Sequence, residues 1–181
     1  RTPDDFVFAY KASRYLTHMK KLKDPHEPLQ NLLRSAEALD AKLGPILFQL
    51  PPNWRCDEER LAALIAELPA DHRYAFEFRD PSWHRDRIYE LLARHNLAFC
   101  VFDLRGRVSP KPLTADFAYV RLHGPDREPY KGRYGGRGLS GWAGTFAAWS
   151  QKVREIYCYF NNDERGFATQ DARRLQEMVA S

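Results

Sequence analysis

The feature that most constrains this chain is a run of six short segments, each apolar on both parities and each rich in β-branched or aromatic residues. They span residues 6–10, 46–50, 74–78, 97–102, 117–122 and 156–160. A strand with one face in water alternates polar and apolar residues, whereas a strand covered on both faces does not. The pattern therefore predicts a parallel sheet covered by helices.

Helical periods fill most of the gaps. Leu29, Leu32, Leu33, Ala36 and Leu39 repeat at helical spacing, with Gly44-Pro45 as the expected stop signal. A second stripe, Leu61, Leu64, Ile65 and Leu68, starts near Asp57 and ends at Pro69. Ile88, Leu91 and Leu92 form a third, closed near Asn96. Trp142, Phe146, Trp149 and Val153 form a fourth with Ser140 as the expected N-cap, and a last one begins near Thr169. Residues 104–116 carry Pro110 and Pro112 without a helical period and read as a loop, and residues 124–138 are irregular, Gly-rich and basic.

Strands alternating with amphipathic helices make right-handed βαβ units. A closed (β/α)₈ barrel typically needs about 250 residues, roughly 30 per unit. Six units in 181 residues are therefore expected to be a TIM-barrel-like (β/α)₈ domain, residues 1–181, lacking its N-terminal units in this chain. The chain opens on Arg1 rather than Met and runs straight into an apolar strand, which fits that expectation. The competing architecture is an open doubly wound sheet.

With 28 basic and 24 acidic side chains, the net charge of +4 does not call for nucleic acid but suits an anionic ligand. Cys56, Cys100 and Cys158 show no C-x-x-C pairing, and the last two lie in apolar runs, which argues for a reducing compartment. No apolar run approaches a membrane span and no signal-peptide pattern opens the chain, so a cytoplasmic location is expected.

Polar residues gather where the strands end. Lys11 follows Tyr10, with Arg14 and His18 in the loop beyond; Gln49 interrupts the second strand; Glu77 and Arg79 end the third, followed by Trp83. Asp103 closes the fourth, Arg121 and His123 the fifth, and Asn162 stands just after the sixth. In parallel α/β folds this carboxyl edge is where loops from every strand converge and where sites form. Glu77 and Arg79 are two residues apart, so they share a face at about 6.6 Å, and Arg121 and His123 likewise. Arginine offers a fixed charge and a fork that fits carboxylate or phosphate. Glutamate and histidine move protons near neutral pH once their surroundings adjust them.

Each of these residues also has a plainer reading. Glu77 and Arg79 make a structural ion pair, His123 anchors a turn, Asn162 belongs to turn chemistry, Lys11 and Arg14 form a solvated basic face, and Trp83 is a packing residue. Glu77, Asp103, His123 and Asp163 are metal-type ligands, but Arg79 and Arg121 would oppose a cation, so no metal is expected. No nucleotide or nucleophile-elbow motif is present, and no cofactor is expected. The glycine- and tyrosine-rich stretch around Tyr130 is either a lid over an anionic ligand or a solvated connection.

Several of these segments resemble one family when taken in order. Gly44-Pro45-Ile46-Leu47-Phe48-Gln49-Leu50-Pro51-Pro52, Glu77-Phe78-Arg79 with Ser82-Trp83, Tyr119-Val120-Arg121-Leu122-His123-Gly124 and Tyr159-Phe160-Asn161-Asn162-Asp163 are similar to the motifs of the DUF72 (YecE-like) family. The Lys11 to His18 region is similar too. The resemblance implies a TIM-barrel-like fold with its first strands absent from this chain, and it implies no particular chemistry.

The residues themselves lead to an expectation of an enzyme, of hydrolase or proton-transfer isomerase type, acting on a small polar or anionic substrate at the strand ends. Glu77, His123 and Asp103 are the expected catalytic residues. Lys11, Arg14, Gln49, Arg79, Trp83, Arg121, Tyr130 and Asn162 are the expected binding residues. The alternative is a nucleic-acid-binding or nucleic-acid-processing protein, in which the basic loop and an exposed Trp83 would contact the strand. A ligand sensor without turnover is a third reading.

Overall fold

The alternation read from the sequence is realised as two α/β units, residues 1–97 and 98–181, in the computed structural model, which describes residues 2–180. In the first unit, strands β1 (Phe8–Lys11), β2 (Leu43–Gln49) and β3 (Tyr74–Glu77) pair in parallel. Helices α1 (His26–Glu37) and α2 (Glu58–Glu67) are the crossovers, and α3 (Asp86–Arg94) follows β3. In the second unit, β4 (Ala98–Leu104), β6 (Phe117–Leu122) and β7 (Glu155–Phe160) pair in parallel, while β5 (Arg107–Val108) folds back antiparallel on β4. Helices α4 (Gly136–Trp149) and α5 (Phe167–Ala180) complete that unit. Parallel strands joined by helices are the local architecture of a TIM-barrel-like chain.

The helices obey the signals that announce them. The Asp57 side chain caps α2 by accepting from Arg60 N at 3.1 Å. Leu61, Leu64 and Ile65 are its buried stripe. In β3, Tyr74, Ala75, Phe76 and Glu77 are all buried, the two-sided cover that continuous apolar strands imply. Phe48 stacks on Phe76 with ring centroids 5.1 Å apart.

Several expectations are corrected. Gly44-Pro45 does not stop α1; both residues lie inside β2. A Cβ on Gly44 would run into Val7 Cγ1 and stand 3.0 Å from the Phe8 carbonyl oxygen, so glycine there serves the close approach of β1. The first strand begins at Phe8, and Phe6 and Val7 are exposed. Residues 104–116 are not wholly loop, because Arg105 and Gly106, both at positive φ, make the two-residue turn of the β4–β5 hairpin. Helix α4 begins at Gly136, well before Ser140, and its N-cap is Gly135.

Gly44→Ala is expected to destabilise the protein by about 1–3 kcal/mol through overpacking between β1 and β2. Chemical denaturation checks this, and an unchanged midpoint would contradict the packing described.

Candidate functional site

At the carboxyl ends of β1, β2 and β3 the polar side chains form a connected set. Register places Gln49 opposite Glu77, one strand over. Lys11 Nζ donates to Gln49 Oε1 at 2.8 Å. Glu77 has no solvent exposure, and its Oε1 accepts a very short hydrogen bond from Arg79 Nε, whose side chain is itself only 10% exposed. The two-residue spacing thus does put carboxylate and guanidinium on one face, and they pair.

His18 joins this set. It lies in a single π-helical turn, Tyr15–Met19, that follows β1. Burial lowers its pKa below the usual 6.5, and the charges of Arg14, Lys11 and Arg79 lower it further. Its Nδ1 is 2.9 Å from Thr17 Oγ1. The Thr17 hydroxyl donates to the Ser13 carbonyl oxygen at 2.9 Å, which uses its one hydrogen. Nδ1–H is therefore the donor to Thr17, and the neutral ring keeps its lone pair on Nε2. His18 is absent from the residues expected at the site; its position in the first strand-end loop was the available signal.

Trp83, placed among the expected binding residues, is fully buried. Its indole N–H donates to the Trp54 carbonyl oxygen at 2.8 Å, and its ring stacks on Phe78 at 4.8 Å. It is a core residue, because a large apolar ring with its one donor satisfied is better out of water.

The second unit has its own polar strand ends. Asp103, at the end of β4, is 7% exposed. Burial pushes its carboxyl above the usual range, against the lowering effects of the Tyr134 hydrogen bond and of Lys111. Tyr134 Oη donates to Asp103 Oδ2 at 3.2 Å and accepts from Gly124 N at 3.1 Å. Asp103 Oδ1 is buried with no hydrogen-bond partner among the described residues.

His123, at the end of β6, is fully buried, and its ring meets Tyr130 edge-on at 5.4 Å. Arg121 is half-buried on β6, in register with Phe102 of β4. Tyr130 is 47% exposed and stands at positive φ.

The loop between His123 and α4 is tied down rather than solvated. Asn162, fully buried, donates both amide hydrogens, to the Gly132 carbonyl oxygen and to Asp171 Oδ2, each at 2.9 Å. Asp171 Oδ2 also accepts from Tyr134 N at 2.9 Å, and Arg174 bonds its Oδ1 at 3.2 Å. Gly124 at φ 101° lies so close to the Lys131 carbonyl oxygen that no side chain fits there. Asn162, expected among the ligand-binding residues, thus anchors this loop. Asp171 was missed: a lone acidic residue early in a helix carries no signal of a buried role. Among the described residues no three His, Cys, Asp or Glu side chains gather as a metal-binding group, and no helix is long and apolar enough to cross a membrane.

Comparison with known proteins places this geometry in a family. The family model described as "Protein of unknown function DUF72" matches residues 1–181. UPF0759 protein YunF of Bacillus subtilis is 24% identical over 98% of this chain and 74% of its own length. A DUF72 family protein of Thermotoga maritima superposes with a TM-score of 0.90 at 31% identity, over 99% of this chain and 76% of that one. A DUF72 family protein of Enterococcus faecalis gives a TM-score of 0.83 at 19% identity, over 99% and 76%, a likeness of fold. The strand-end motifs and the family match over the whole chain lead to one conclusion: this chain belongs to the DUF72 family.

Proposed function

We propose that the carboxyl ends of β1–β3 form a site that binds a small anionic substrate and moves a proton on it, as in hydrolysis or isomerisation. The observation that carries this reading is Glu77, a carboxylate without solvent exposure at a strand end, paired with Arg79, whose charge, with those of Arg14 and Lys11, also acts on His18. A structural ion pair alone would not require the charges of Lys11 and Arg14 to act on His18 as well.

The chemistry follows from the charges. Lys11, Arg14 and Arg79 attract an anion, and burial together with their charges favours the neutral form of His18. A neutral ring with a free lone pair on Nε2 is a general base. Proton abstraction makes it a cation, and a bound substrate anion then offsets the repulsion from the surrounding cations. Glu77 fixes the Arg79 guanidinium and is the second proton carrier of the set. In the second unit, Arg121 and His123 at the end of β6 are proposed in the same two roles, anion holding and proton transfer. Asp103, held toward its protonated form, is suited to donate a hydrogen bond or a proton.

Inorganic phosphate followed by a panel of phosphorylated and carboxylated small molecules, screened by thermal shift, is expected to raise the melting temperature. The Lys11→Met/Arg14→Met double variant, at two exposed positions, is expected to diminish that rise; an undiminished rise contradicts the site. With a turned-over compound identified, Glu77→Gln is expected to abolish turnover, and unchanged turnover would remove Glu77 from the mechanism.

The histidine gives a second expectation. With His18 as base, kcat/KM rises with pH along an acid limb whose midpoint lies below 6.5, because the folded protein holds the ring neutral. His18→Gln is expected to lower kcat/KM by about 10²-fold or more and to erase that limb. An acid limb that survives the substitution would show that another group is the base.

The ion pair itself is testable without substrate. Arg79→Ala strips the buried Glu77 carboxylate of its guanidinium and is expected to cost on the order of 3 kcal/mol in unfolding free energy. A loss within experimental error would mean that Arg79 does not compensate the buried charge.

A further inference from the structure

A cavity of about 350 Å³ opens in the second unit, lined by residues of the β4–β5 hairpin, the tied loop and the first turns of α4. Asp103, Lys111, Tyr134, Arg137 and Trp142 are on its wall, together with Gly135 and Gly138. The volume suits a ligand at the small end of the usual range.

One end of this cavity is built for an anion. Helix α4 runs for 14 residues, and its N-cap, Gly135, has no side chain to bond the first-turn amides. No acidic residue stands in that turn. The positive end of the helix dipole and amides without a side-chain cap thus stand where Gly135, Arg137 and Gly138 line the cavity. Arg137 adds a cation on that first turn, and Lys111 lines the same cavity further along α4, its Nζ 4.3 Å above the Trp142 ring and 3.3 Å from Thr145 Oγ1.

The glycines add to this. Gly135, Gly136 and Gly141 have nothing within 4 Å of a built Cβ, and none is at positive φ. Glycine weakens a helix relative to alanine. Gly135 and Gly141 line the cavity, so a ligand there meets helix backbone bare of side chains.

Asp103 is an independent observation pointing to the same place. Asp103 is only 7% exposed and lines the cavity, with Oδ1 buried and lacking a hydrogen-bond partner among the described residues. Such an atom is costly unless something pairs with it. Tyr134 donates to Oδ2, which leaves Oδ1 to accept a hydrogen or, when protonated, to give one. A hydroxyl group satisfies either state, because it both donates and accepts.

We propose that this cavity binds a phosphate monoester of a small polyol, with the phosphate at the first turn of α4 beside Arg137 and a hydroxyl on Asp103. A phosphate fits better than a carboxylate, because its three terminal oxygens match several amides and a guanidinium. The site goes beyond the proton-transfer reading at the ends of β1–β3 and shares no residue with it there; Asp103 alone has a part in both proposals.

The test is an amide-resolved NMR titration of the intact chain with glycerol 3-phosphate, methyl phosphate and glycerol. Glycerol 3-phosphate is expected to shift the Gly136, Arg137 and Gly138 amides saturably, with a lower Kd than methyl phosphate, and glycerol alone to leave them in place. Arg137→Ala, at an exposed position, is expected to weaken binding by about tenfold, the loss of one charge-assisted contact. The Lys11→Met/Arg14→Met variant is expected to bind as the parent does. Three results would overturn the proposal: no saturable shift at those amides, a Kd unaffected by Arg137→Ala, or loss of the shifts in the Lys11/Arg14 variant. Equal Kd values for methyl phosphate and glycerol 3-phosphate would overturn the assignment of Asp103 to a hydroxyl.

Discussion

A carboxylate with no access to water must find its compensation inside the protein, and Glu77 finds it in Arg79. The desolvation of such a charge costs several kcal/mol in practice, so the guanidinium is a condition of the strand ending where it does. Register then carries the consequence sideways. Gln49 stands opposite Glu77, and Lys11 reaches Gln49 from β1. The carboxyl edge of the first unit is thus polar by construction, across three neighbouring strands, and the π turn after β1 brings His18 to the same cations.

The second unit solves a related problem with neutral and shared hydrogen bonds. Asp103 and Asp171 are both buried, yet they are treated differently. Asp171 receives Tyr134 N, Asn162 and Arg174, which saturates it and pins the loop between β6 and α4. Asp103 receives Tyr134 Oη on one oxygen, and its other oxygen has no bond among the described residues. A saturated carboxylate is architecture; a half-satisfied one beside a cavity is a place for chemistry. Tyr134 links the two, its backbone on Asp171 and its hydroxyl on Asp103.

Much of the scaffold was legible because its signals are local or periodic. Strands covered on both faces announce themselves as apolar runs, and Asp57 announced the start of α2. What failed depends on contacts between distant residues. Gly44-Pro45 carries the punctuation of a helix end, yet Gly44 is there because β1 passes close to it. The Arg105-Gly106 turn lacks the Asn-Gly or Asp-Gly pair that marks a two-residue hairpin, so β5 was read as loop. Helix α4 starts at Gly136, in a glycine-rich stretch that propensity argues against. At the site, parity found the Glu77–Arg79 pair from spacing alone. It could not separate Trp83, satisfied by Trp54 and buried, from an exposed ring, nor show that Asn162 serves the loop. His18 and Asp171 draw their roles from neighbours the sequence does not reveal.

The central claim is that the cations at the ends of β1–β3 hold an anion against a proton-transferring pair. The most direct measurement is a crystal structure of the protein soaked in tungstate, read by anomalous scattering. The account expects an oxyanion within hydrogen-bonding reach of Arg79 and of Lys11 or Arg14, with His18 facing it. Anomalous density absent from those side chains in a well-soaked crystal would contradict it.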